Sequence, residues 1–105
     1  MERVGFTMRL LPGAEAEYRH RHAAVWPDML AELKRAGASN YSIFLDGDRL
    51  FGYIEVEDLT AFQRYLADSE VNARWQADMG SSLIDPLTDP DTRFHHRMTE
   101  VFHLD

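Results

Sequence analysis

Tyr18 and His22 stand four residues apart in the stretch YRHRHAAVWPDML, residues 18–30, a spacing that puts both side chains on one face of a helix about a turn apart. Histidine exchanges protons near neutral pH, with an unperturbed pKa of ~6.5, and a neighbouring phenol can orient a hydroxylated ligand. The pair could therefore carry proton transfer on one small molecule. It could equally form the border of an amphipathic stripe, with its polar atoms satisfied by backbone or water, because both residue types are commonly half-buried. Pro27 bears on the choice. A proline inside a helix removes an amide donor, clashes with the carbonyl four residues back, here Ala23, and biases Trp26 away from the helical region. The backbone must open between His22 and Trp26. Two readings follow: a plain boundary, with Pro27 opening a second helix and Asp28 favouring its N-terminal dipole, or a bend that lines a pocket with His22 and Trp26.

Trp75 beside Gln76 offers a second candidate. The tryptophan is either a core residue or an aromatic wall for a sugar, with the adjacent amide free to hydrogen-bond a hydroxyl. Metal binding has little support. His20 and His22 lie roughly 200° apart around a helix axis and cannot share an ion, and the adjacent His95 and His96 diverge on a strand. The sequence holds no glycine-rich phosphate loop, nucleophile elbow or dinucleotide fingerprint, and Ser81 and Ser82 have no base nearby in sequence. Acid/base chemistry by histidine is what remains.

These residues must be positioned by regular elements. RVGFTMRLL (residues 3–11) alternates Val4, Phe6, Met8 and Leu10 with Gly5, Thr7 and Arg9, as a half-buried strand does, until Pro12 and Gly13 end it. Residues 14–37 carry a helical stripe through Tyr18, His22, Val25, Met29 and Leu33, with Lys34 and Arg35 before a terminal Gly37. Two strands, Tyr41 to Leu45 and Arg49 to Val56, flank an Asp-Gly-Asp turn in which Gly47 supplies positive φ. A second helical region follows, with Leu59, Phe62, Leu66, Val71, Trp75 and Met79 as inner positions and Ser69 as the N-cap of its second segment. Residues 84–94 read as a loop, and the alternating RMTEVFHLD as a final strand. The order β-α-β-β-α-β predicts an α+β, ferredoxin-like fold with a four-stranded, mostly antiparallel sheet.

The 105 residues suit a single domain, 1–105. With 18 acidic and 11 basic residues and a net charge of −7, the chain makes a poor nucleic-acid binder. It has no cysteine, hence no disulfide framework or thiolate site, and a reducing, cytoplasmic location is expected. No signal peptide or membrane span is expected either. Two helices cover only one sheet face, yet Phe6, Met8, Tyr41, Ile43, Phe44, Phe51, Tyr53, Ile54, Val101 and Phe102 cannot all point to one side. An apolar face left open predicts a homodimer packed sheet to sheet about a two-fold axis.

Together these residues resemble the L-rhamnose mutarotase family, over nearly the whole chain. The marks are F.M.L.PG...EY..RH...WP.M...L...GA.NYSI.LD from Phe6 to Asp46, then LFGYIEVED, ARWQADM and the final EVFHL. The resemblance implies a small, cofactor-free epimerase of the dimeric α+β barrel type. It implies His22 as proton donor, with Tyr18 and Tyr41 as substrate contacts. Where the family typically has two adjacent tryptophans at the sugar site, this chain has Trp75 and Gln76; exchanging an aromatic face for an amide bears on which deoxy sugar fits.

The expected reaction interconverts the α and β anomers of a monosaccharide, a 6-deoxyhexose and foremost L-rhamnose, by acid/base ring opening. His22 supplies the proton, Tyr18 and Tyr41 orient hydroxyls, and Trp75 packs the apolar face beside Gln76. The base is not identified by sequence. A gain of ~10²–10⁴ from general acid/base catalysis suffices without metal or cofactor. Alternatives are a mutarotase for another sugar such as L-fucose, a cofactor-free oxygenase or cyclase on the same scaffold, and a sugar-binding regulator without turnover.

Overall fold

The computed structural model describes residues 1–83 and 97–105. The expected loop at residues 84–94, together with His95 and His96, lies outside the described residues. The elements are β1 (Glu2–Arg9), α1 (Glu15–His22), α2 (Pro27–Arg35), β2 (Ala38–Asp46), β3 (Arg49–Val56), α3 (Leu59–Ala67), α4 (Glu70–Leu83) and β4 (Arg97–Met98). The strands form one sheet in the order β2-β3-β1-β4, every neighbour antiparallel. This is the ferredoxin-like arrangement, each of its two helical connections being divided into two helices.

Alternation on β1 and β3 builds the core. Val4, Phe6 and Leu10 are at most 1% exposed and Met8 9%, while Leu50, Ile54 and Val56 on β3 are fully buried under the helices. Burying each such side chain is worth about 1.5–3 kcal/mol against leaving it in water. Met29, Leu59, Phe62 and Leu66 complete this layer from the helices. Gly52, paired with Phe6, has no space for a side chain: a Cβ there would lie 2.2 Å from the Phe6 ring.

The β2–β3 connection is a two-residue loop, Gly47-Asp48, closed by the Asp46–Arg49 pair. Gly47 has φ of +62°, the conformation required at the first central position of a hairpin turn matched to strand twist. Helix α3 starts as its sequence dictates, the Asp58 side chain accepting from the Ala61 amide at 3.2 Å.

The final strand is shorter than expected. Among the described residues of the tail, Arg97 and Met98 alone pair with β1, opposite Phe6 and Gly5. Continuing that register places Glu100 opposite Arg3, and the two side chains form a bidentate pair at 2.9 Å. Val101 would then face Glu2, the first residue of β1, so Phe102 onward has no strand beside it among the described residues. Val101, Phe102 and Leu104 are 71–93% exposed.

Candidate active site

The break after His22 is set by Pro27. Trp26, restricted by the following proline, takes an extended conformation (φ −56°, ψ 133°), and Pro27 is the first residue of α2. The Trp26 carbonyl accepts from the amides of Met29 and Leu30 at 2.9 and 3.1 Å, starting the new helix. The boundary reading therefore describes the backbone. The pocket reading holds in part, because the opened turn leaves His22 at the wall of a cavity of about 540 Å³ between the helices and the sheet.

Tyr18, His22, Tyr41, Trp75 and Gln76, the five residues expected from sequence, all line this cavity. Its floor is apolar, with Ile43, Leu45, Leu50 and Phe62. Trp26 is not on its surface but packs edge-on against Trp75 at 5.0 Å between ring centroids, supporting the wall from behind. His20 is exposed and faces elsewhere.

His22 is held on three sides. Its ring stacks on Tyr18 at 4.0 Å with 21° between planes, and meets Trp75 edge-on at 5.7 Å. Its Nδ1 lies 3.1 Å from the Tyr18 carbonyl oxygen. A carbonyl only accepts, so Nδ1 carries a proton in both charge states and Nε2 is the atom that titrates. Burial lowers the His22 pKa below its ordinary 6.5, and the bond to the Tyr18 carbonyl opposes that only in part. At neutral pH the imidazole is mainly uncharged, with Nε2 free to take a proton.

Both tyrosines remain protonated there. Tyr18 is 4% exposed, and burial raises its phenol well above the ordinary value, with a smaller contribution from Tyr41. Loss of hydration pushes Tyr41 up to about 12, although the residue keeps 36% of its surface accessible. The Tyr41 phenol is therefore neutral at physiological pH. Each can donate one hydrogen bond and accept another.

Tyr41 reaches the cavity through a β-bulge. The register shifts between Ser39 and Ser42, so Asn40 and Tyr41 together oppose Ile54, and Asn40 has φ of +47°, a conformation asparagine tolerates better than most residues. Asn40 donates to Glu55 Oε1 at 2.8 Å, and Tyr53 donates to Glu55 Oε2 at 2.7 Å. The pinned bulge turns Tyr41 to the helix side, where its ring packs edge-on against Phe6.

Arg19 on α1 is solvent-exposed and also lines the cavity. Arg21 ties α1 to α4, pairing with Glu17 at 2.7 Å and Asp78 at 3.3 Å. Val71, half-buried, packs against the core as expected, but the most buried positions of this region are Asn72 and Trp75 on α4, 1% and 8% exposed, and Ser69 just before it, 7%. The Met79 side chain lies outside the described residues. Ser69 is the N-cap expected, its Oγ accepting from the Asn72 amide at 3.1 Å. Asn72 also lines the cavity. The available signal was its spacing of three from Trp75, outweighed by the hydrophobicity of Val71.

Among the described residues no carboxylate lines the cavity, and no three histidine, aspartate or glutamate side chains are grouped to hold a metal ion. No helix among the described residues is long and apolar enough to cross a membrane. What the described lining offers is one titratable imidazole nitrogen, two neutral phenols, an aromatic wall, the Arg19 guanidinium and the two carboxamides of Asn72 and Gln76.

The family model for L-rhamnose mutarotase matches residues 3–104. The chain is 42% identical to an L-rhamnose mutarotase of Oceanobacillus iheyensis, covering all of both sequences. It is 49% identical to one of Listeria monocytogenes over 71% of this chain and 73% of that one. The crystal structure of an L-rhamnose mutarotase from Formosa agariphila superposes with a TM-score of 0.80 over the full length of both chains, at 30% identity.

Proposed function

The chain belongs to the L-rhamnose mutarotase family, and on that premise we propose that it interconverts the α and β anomers of L-rhamnose, with His22 moving the proton. The observation that carries this reading is the tethered imidazole: Nδ1 is committed to the Tyr18 carbonyl, which leaves Nε2 as the exchangeable site in a cavity lined by no described carboxylate.

One nitrogen is enough for the reaction. The anomeric hydroxyl oxygen and the ring oxygen are bonded to the same carbon, so a single Nε2 can serve both in turn. The neutral imidazole takes the anomeric hydroxyl proton. The oxygen lone pair forms the aldehyde carbonyl, the bond from carbon to ring oxygen breaks, and the departing oxygen receives the proton from His22. After rotation about the bond between the first two carbons, the steps reverse on the other face and the proton returns to the anomeric oxygen. Tyr18 and Tyr41 orient hydroxyls as neutral donors and acceptors. Trp75, braced by Trp26, packs against the C–H face of the sugar.

Saturation-transfer NMR between the anomeric protons of L-rhamnose tests the assignment. His22→Ala should lower the enzyme-dependent exchange rate by ~10²–10⁴ without loss of folded structure. Because the uncharged imidazole starts the reaction, kcat/KM should be level at neutral pH and fall on acidification through the lowered pKa of His22, below 6.5. A rate that rises on acidification would instead make imidazolium the starting form, and a wild-type protein that leaves exchange unaccelerated would remove the function.

The active form in this proposal is a homodimer. Phe44 is 65% exposed and Met98 43% on the sheet face away from the helices, and Val101, Phe102 and Leu104 of the tail are exposed as well. A second copy packed on that face would bury Phe44 and Met98. The cytoplasm is the proposed site of action, in keeping with a chain that lacks cysteine.

A further inference from the structure

Asn72 is 1% exposed, yet it forms part of the cavity wall one helical turn before Gln76. Its Nδ2 donates to the Leu66 carbonyl at 3.2 Å. That bond settles the amide's orientation, since reversing it would set two acceptor oxygens against each other. Asn72 Oδ1 therefore points away from Leu66 and can only accept. It receives Gln76 Nε2 at 3.4 Å, a long hydrogen bond across the helical spacing. Gln76 must accordingly turn its NH₂ toward Asn72, which leaves Oε1 for a ligand.

The anchor behind Asn72 is fixed by three helices. Its backbone amide donates to Ser69 Oγ at 3.1 Å, and the Ser69 hydroxyl donates to Glu32 on α2. Glu32, 8% exposed, also accepts from Tyr65 of α3 at 3.1 Å and from Arg35. Its carboxylate, kept ionised chiefly by the Ser69 bond, holds the first turn of α4 in place.

We propose that Asn72 is a positioning residue for substrate recognition: it holds the Gln76 carboxamide so that Oε1 accepts a hydrogen bond from a sugar hydroxyl other than the anomeric one. The ligand class at this corner is thus a pyranose presenting an O–H donor, not a methyl group. This inference rests on the mutarotase reading above.

A double-mutant cycle on anomer exchange of L-rhamnose tests it, with Asn72→Leu, Gln76→Leu and the double variant. Each single change should raise KM about five- to tenfold, the worth of one hydrogen bond, while kcat shifts less than about twofold. In the double variant KM should rise no further than in Gln76→Leu, because Asn72 acts through Gln76. Additive rises in KM, or a large fall in kcat from Asn72→Leu, would assign Asn72 a general structural role and overturn the proposal. Gln76→Glu keeps the length and the acceptor but loses the N–H that Asn72 receives, without altering the core. It should raise KM as Gln76→Leu does, and a KM equal to wild type in either exposed-site variant would overturn the proposal even if Asn72→Leu fails to fold. A wild-type protein inactive on L-rhamnose removes the mutarotase reading itself, a result distinct from an active protein with an additive cycle.

Discussion

On the helix-covered side of the sheet, Val4, Phe6 and Met8 of β1 and the adjoining Leu10 are at most 9% exposed, whereas on the opposite side Phe44 is 65% and Met98 43% exposed. Both surfaces come from the same strands, because successive side chains point to opposite faces. The difference lies in the cover. Helices pack against one side and do not close it completely, so the break between α1 and α2 leaves a cavity with an apolar floor and a polar rim. Burial in that partial enclosure lowers the His22 pKa, the condition on which the proposed proton transfer depends. The other side carries the Arg3–Glu100 pair and the Asn40–Glu55–Tyr53 cluster beside the exposed Phe44 and Met98, and no helix among the described residues covers it. One sheet thus presents a half-enclosed cavity on one side and an open apolar face on the other, to which the proposal above assigns the reaction and a second copy.

The two glycines of the central strands sharpen this contrast most. Gly52 faces the covered side, and a Cβ there would come within 2.2 Å of the Phe6 ring. Gly52→Ala should therefore destabilise the protein by about 3 kcal/mol, measured by urea unfolding. A loss under about 1 kcal/mol would mean that the covered core is more adaptable than its packing implies.

Phe44→Glu comes next. A charge placed on the open face should weaken self-association by about 2 kcal/mol, read by sedimentation equilibrium, with protomer stability changed within about 0.5 kcal/mol. An unchanged association constant, or a wild-type protein that is monomeric at all concentrations, would break the assignment of that face to a second copy.

Gly5→Ala should have the smallest effect. On the open side its nearest obstacle is the terminal methyl of Met98, 3.4 Å away, which can move. Unfolding should shift by no more than about 0.5 kcal/mol, and a loss as large as that from Gly52→Ala would show the two faces to be equally confined.

Much of this architecture could be read in advance where a local rule had no competitor. Period-two alternation from Val4 to Leu10 could only be a half-buried strand, and Asp-Gly-Asp between two apolar runs could only be a tight turn. Tyr18 and His22 were legible because a four-residue spacing on a helix brings two rings together whatever the helix packs against. The α4 stripe through Val71 and Trp75 was legible, since both pack in or against the core, but Asn72 was missed: it is buried because its amide has partners, a condition invisible to a hydropathy pattern. The tail was read as a full strand from its alternation, but pairing requires a neighbour, and β1 begins at Glu2.

The amino-acid sequence by itself determined the order of elements, the inner face of β1, the turn at Gly47 and the shared face of Tyr18 and His22, because each follows from backbone sterics and side-chain periodicity over a few residues. Tertiary structure alone decided the rest. It brought Trp75 and Tyr41 to the same cavity as His22, directed the His22 Nδ1 proton to the Tyr18 carbonyl, and set Asn72 between Leu66 and Gln76. These outcomes depend on desolvation and on which donor meets which acceptor, and both are properties of residues distant in the chain that only packing makes neighbours.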